Sequence, residues 1–82
     1  IWEHVEDSEF ETHWRARAAH LAHGPTEAYR RTKKALRASL GNSLEDQLNL
    51  EAREQGRAGK SRDFKEGVMA FLEKRKAHFE GR

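Results

Sequence analysis

Eighty-two residues make at most one domain, and a domain of this size buries only about 60% of the surface its unfolded chain exposes. Hydrophobic residues make up 35% and charged residues 37%, with 16 Lys and Arg against 14 Asp and Glu; the core must be thin, and a net charge of +2 is too balanced to mark a nucleic-acid binder on charge alone, although local patches can still bind anions. With no Cys there is no disulfide, thiolate metal site or cysteine nucleophile, which fits a reducing compartment such as the cytoplasm, and no apolar run approaches the roughly 18 residues that span a bilayer.

The chain opens at Ile1 with Trp2 and Val5 and reads as a piece cut from something upstream; residues 1–6 serve equally as the last strand-like stretch of a preceding unit or as a frayed lead-in. Ser8 with Glu11 forms a capping-box pattern that predicts a helix over 8–23, with Phe10, Trp14, Ala18 and Leu21 on one apolar stripe and Gly24 and Pro25 as its stop. Thr26 is placed to cap a second helix with an inner face of Ala28, Thr32, Ala35, Leu36 and Ser39, ending at Gly41 in a left-handed conformation.

Ser43 with Asp46, or Asn42 with Glu45, caps a third helix whose weakly apolar stripe is Leu44, Leu48, Glu51, Ala52 and Gln55, ending near Gly59. Ser61 and Asp63 open a fourth, in which Phe64, Val68, Phe71, Leu72 and Phe79 follow a 3.6-residue period. Gly67 interrupts it at about 1 kcal/mol against alanine, which points to close backbone packing. The expectation is one all-α domain over 1–82, of about four short helices and no symmetric bundle.

Several clusters bear on chemistry. Arg30, Arg31, Lys33, Lys34 and Arg37 fall within eight positions. At 100° per residue Arg30, Lys33, Lys34 and Arg37 share an outer face, a solvated surface first and an anion contact second. His13, His20 and His23 lack the carboxylate or Cys that would complete a zinc site, so no metal is expected. Glu45, Asp46, Glu51 and Glu54 read as capping and solubilising residues without a nucleophile beside them, and no catalytic residue is assigned. Phe71, Lys74 and Arg75 project from neighbouring turns of one helix; spacing alone favours Phe71 as core and Lys74 as solvated, although an aromatic beside a cation also suits an adenine beside a phosphate.

The segments GPTEAYRRTKKALRASLGNSLEDQLNLEA (24–52) and SRDFKEGVMAFLEKRKAHFEGR (61–82) resemble the C-terminal region of enoyl-CoA hydratase/isomerase, or crotonase, family enzymes. IWEHV resembles the exit from that family's catalytic domain and AAHLAHGPTEA the helix and turn after it. LEDQLNLEA and FKEGVMAFLEKR look closest to the bacterial phenylacetate-pathway branch. The resemblance implies a fragment without its β/α spiral core, where two backbone N–H groups hold the thioester oxygen and acidic residues move protons, so the chain alone is expected to be inactive. It further implies a trimer or dimer of trimers, packing against the protein's own catalytic domain, and an acyl-CoA substrate contacted by Phe71 (adenine) and Lys74 (phosphate or ribose). No separate cofactor, nucleic acid or membrane partner is implied. The rival from another class is a helical module that binds an acidic partner or nucleic acid through Arg30, Lys33, Lys34 and Arg37.

Overall fold

Four helices follow one another, α1 Phe10–Ala22, α2 Thr26–Ser39, α3 Leu44–Ala58 and α4 Arg62–Leu72, with a turn of 3-10 helix over Asp7–Glu9 ahead of α1. The computed structural model describes residues 2–82, and among them there is no strand. Ile1 lies outside the described residues. The lead-in is anchored to α1: Glu3 accepts hydrogen bonds from His13 at 3.0 Å and Arg17 at 3.1 Å, and the Arg17 guanidinium sits 5.1 Å from the Trp2 ring centre.

Two caps form as the serines dictate. Ser43 accepts from the Asp46 N–H at 3.2 Å and Ser61 from the Phe64 N–H at 3.0 Å, so α3 and α4 each begin with an otherwise unsatisfied amide paired. The box at Ser8 does not form, because Ser8 lies inside the 3-10 turn and lacks the extended backbone a cap requires; α1 starts without a side-chain cap. Thr26 is the first residue of α2, and Pro25, which has no side-chain acceptor, holds the cap position. Gly41 is not left-handed: its N–H donates to the Ala38 carbonyl at 3.1 Å, so a tight turn closes α2 instead.

The fourth helix stops well short of Phe79. The Lys74 N–H donates to the Phe71 carbonyl at 3.3 Å and the Arg75 N–H to the Ala70 carbonyl at 3.0 Å, with Lys74 at φ 55°, which is a Schellman ending. Residues 76–82 then run back along α4. Glu66 accepts from Arg75 and from the His78 N–H at 2.9 Å; Asp63 accepts from the N–H groups of Glu80 and Gly81 at 2.7 and 2.8 Å, and its own N–H donates to the Arg82 carbonyl at 2.8 Å. The expected close packing at Gly67 is present, with the returning tail as its partner: a Cβ there would stand 3.5 Å from the Phe79 ring.

The main helix–helix packing is α2 against α3, and it is more polar than the apolar periodicity suggests. Of the expected α3 stripe, Leu44 and Leu48 are exposed while Glu51 and Gln55 border the groove against α2; Leu50 and Glu54 are the buried residues of the helix. The turn of the helix is set by Glu54, which reaches Arg31 and Lys34 on α2, and by Gln47, whose amide donates to the Ala35 carbonyl at 3.0 Å. Leu50 and Ala70 are the only buried apolar residues among those described. The radius of gyration is 15.9 Å, against about 12 Å for a compact chain of this length, and the chain is only 18 Å thick.

Candidate functional site

The face of α4 that the sequence marks as apolar is open. Phe64, Val68, Phe71 and Leu72, joined by Phe79 from the returning tail and by Pro25 and Ala28 from the start of α2, line a groove of about 390 Å³. Phe71 is 82% exposed at the last turn of the helix, so the expectation that spacing alone favours, a core Phe71, fails.

Lys74 does not project from the next turn of the same helix. It occupies the position after the cap, in the left-handed region that glycine normally fills, and its amide bond to Phe71 keeps the two residues in one tight turn. Holding a side chain there costs about 1 kcal/mol or more. The backbones of Phe71 and Lys74 are therefore joined by the turn that ends α4 and not by a continuing helix.

Two carboxylates fix the turn and the tail that follows it. The Arg75 guanidinium and the His78 N–H hold the Glu66 carboxyl well below the ordinary carboxylate range, at about 2, and Glu66 with Glu73 stabilises the Arg75 charge in return. Buried Asp63 clamps the end of the tail. Sequence reasoning counted Asp63 only as a helix opener and gave Glu66 no role. The one signal for either was an acid in the first turn after Ser61, which a solvent-facing residue would share.

A second polar assembly lies between α2 and α3. Glu54 is 3% exposed and receives Lys34 at 2.8 Å, Arg31 at 2.9 Å and Arg57 at 3.1 Å, so it is a buried ion-pair centre and not a solubilising residue. Lys34 foremost, with Arg31 and Arg57, lowers its carboxyl to about 2. Glu27 accepts from Arg30 at 2.9 Å and from Arg31. Arg30 and Lys34 thus turn toward carboxylates of the chain, and the outer basic face is less free than the helical wheel implies. His13 is engaged by Glu3, and His23 donates through Nδ1 to the Ala19 carbonyl at 2.7 Å; among the described residues no three ligating side chains converge as a metal centre.

The family model for enoyl-CoA hydratase/isomerase matches residues 1–82. The chain is 63% identical over its whole length to a probable enoyl-CoA hydratase of Rhodobacter capsulatus, covering 32% of that protein. It is 40% identical, again over its whole length, to the 1,2-epoxyphenylacetyl-CoA isomerase of Escherichia coli, covering 31%. A crystal structure of a provisionally assigned enoyl-CoA hydratase/isomerase from Mycobacterium abscessus superposes with a TM-score of 0.89 at 40% identity, over 95% of this chain and 30% of that one. The chain thus spans about a third of the length of these relatives. A match across every residue, with a superposition that keeps the helix order, places this chain in the enoyl-CoA hydratase/isomerase family.

Proposed function

We propose that these residues form the C-terminal oligomerisation and CoA-capping segment of an enoyl-CoA hydratase or isomerase acting on acyl-CoA thioesters in the cytoplasm, with the chemistry carried by residues outside the 82. The observation that carries the reading is the Phe71–Lys74 turn: an exposed aromatic and an exposed cation three residues apart, their backbones joined by a Schellman ending in which lysine stands where glycine is cheaper. An adenine stacked on Phe71 would leave its neighbouring phosphate or ribose within the reach of Lys74. Fixed backbone at that turn favours binding, since the Glu66 and Asp63 clamps order the tail before any ligand arrives.

The 63% identity to a probable enoyl-CoA hydratase supports an enoyl-CoA thioester as the substrate, and the 40% identity to the epoxyphenylacetyl-CoA isomerase supports a parent close to the phenylacetate branch. Oligomerisation rests on the open apolar faces of α1 and α4, which require cover. The nucleic-acid reading loses ground because Glu27 and Glu54 partly neutralise Arg30 and Lys34, two of the four cations on which it depends.

The test is steady-state kinetics of the full-length protein carrying Lys74→Glu or Phe71→Ala. Each is expected to raise KM for the acyl-CoA about tenfold with kcat within a factor of two, since neither residue touches the reacting carbon. An unchanged KM in both variants would remove the coenzyme assignment.

A further inference from the structure

The cleft between α2 and α3 holds more positive charge than its carboxylates require. Its lining consists of Arg30, Arg31, Lys34, Arg57 and Glu54 around a volume of about 380 Å³. Glu54 alone receives three cations, at 2.8, 2.9 and 3.1 Å, and among the described residues Glu27 is the one other carboxylate in contact with the set, through Arg30 and Arg31. Four cations against Glu27 and Glu54 leave a surplus of two positive charges in one cleft. A buried carboxylate needs one good partner; further cations repel one another unless a second anion joins them.

The donors for such an anion are at the rim. Lys34, Arg57 and Arg30 have side chains 56%, 52% and 71% exposed, and each uses only part of its donor capacity on Glu54 or Glu27. Deeper in, Arg31 Nε is buried without an acceptor, so donors exceed acceptors there as well. We propose that this cleft is a binding site for a phosphate group, held by Arg30, Lys34 and Arg57 beside Glu54. A phosphate monoester carries between about −1.5 and −2 at neutral pH, which matches the surplus, and it presents three acceptor oxygens to three rim cations. The cleft suits one phosphate better than a polyanion, because Arg31, Lys34 and Arg57 gather on Glu54 and Arg30 borders the same cleft from Glu27, so the cations drawn from α2 and α3 surround one volume. The site is separate from the Phe71–Lys74 turn.

The experiment is calorimetric titration of the full-length protein with inorganic phosphate, chloride replacing phosphate in the blank at matched ionic strength. Saturable binding is expected, weakened about tenfold by Arg57→Gln and by Arg30→Gln, with helicity by circular dichroism unchanged in at least the Arg30 variant, whose side chain is the most exposed of the three. No saturation above the chloride blank, or saturation unaltered in both variants, would overturn the site. Displacement of phosphate by CoA but not by 3′-dephospho-CoA would assign the cleft to the coenzyme's own monoester, and displacement by neither would assign it to free phosphate; both outcomes support a phosphate site. Displacement by short duplex DNA with a steep salt dependence would overturn it in favour of a polyanion surface. Binding lost in Lys74→Glu but kept in the cleft variants would also overturn it, whereas binding that survives Lys74→Glu leaves the cleft standing whatever that variant does to KM.

Discussion

Glu54 and Glu66 are each held ionised by neighbours that the unfolded chain does not supply. Their carboxyls stand near 2 in the folded chain against 4.5 unfolded, so the unfolded state takes up protons first as pH falls. Their contribution to stability is therefore complete above about 4.5 and is lost as pH drops through about 2. Carbon-detected titration of the Glu side chains should show both midpoints near 2, with that of Glu54 rising toward 4.5 in Lys34→Gln, because the Lys34 bond is the largest cause. A Glu54 midpoint unchanged in that variant would mean that the ammonium does not govern the carboxylate. Lys74 makes the complementary case at the same scale. Lys74→Gly relieves the left-handed position and should raise the stability of the α4 end by about 1 kcal/mol while weakening acyl-CoA binding. Stabilisation with unchanged KM would make the lysine a tolerated cost without function.

At the scale of elements, each cap is a local device whose removal can be forecast. Ser61→Ala should cost about 1 kcal/mol, read as lower denaturant resistance of α4, whereas Ser8→Ala should lie within about half a kcal/mol of the wild type because no capping bond forms there. Equal losses in the two variants would contradict the 3-10 entry to α1. The same contrast shows what the sequence can and cannot reveal. Ser43 and Ser61 were legible because a cap needs only residues three apart, and the four-helix order followed from them and from Gly24, Pro25 and Gly59. The spacing of Phe79 fits a 3.6-residue period and so reads as helical, while the tail's actual course depends on bonds that Asp63 and Glu66 accept from amides more than ten residues away. Glu54 is hidden for a similar reason: apolar periodicity selects Leu44 and Leu48 for the seam, and a carboxylate with three cationic partners outweighs them. The assignment of Phe71 and Lys74 to the coenzyme rests on family resemblance, since spacing alone argues for a core Phe71 and a continuing helix at Lys74.

The molecule as a whole leaves too much surface in water to be a finished globule. It exposes 7181 Å², against about 5,000 Å² for a compact protein of this mass, an excess of roughly 2,000 Å². Large apolar side chains contribute to it: Phe10, Trp14 and Leu21 on α1 are 61%, 44% and 50% exposed, and Phe64, Val68, Phe71 and Leu72 lie open on α4. At about 25 cal/mol per Å², covering even 500 Å² of such surface is worth roughly 12 kcal/mol before the entropy of association is subtracted, more than a core of Leu50 and Ala70 supplies by itself. The 82-residue chain alone should therefore self-associate with rising concentration in sedimentation velocity runs, and bind an apolar dye in its dilute form. Trp14→Ser with Phe64→Ser should shift it toward monomer without loss of the Ser43 and Ser61 caps, because neither side chain is buried in the single chain. A chain that stays monomeric and dye-free at high concentration would require these faces to close on each other, and so a more compact shape than 18 Å by 37 Å by 45 Å.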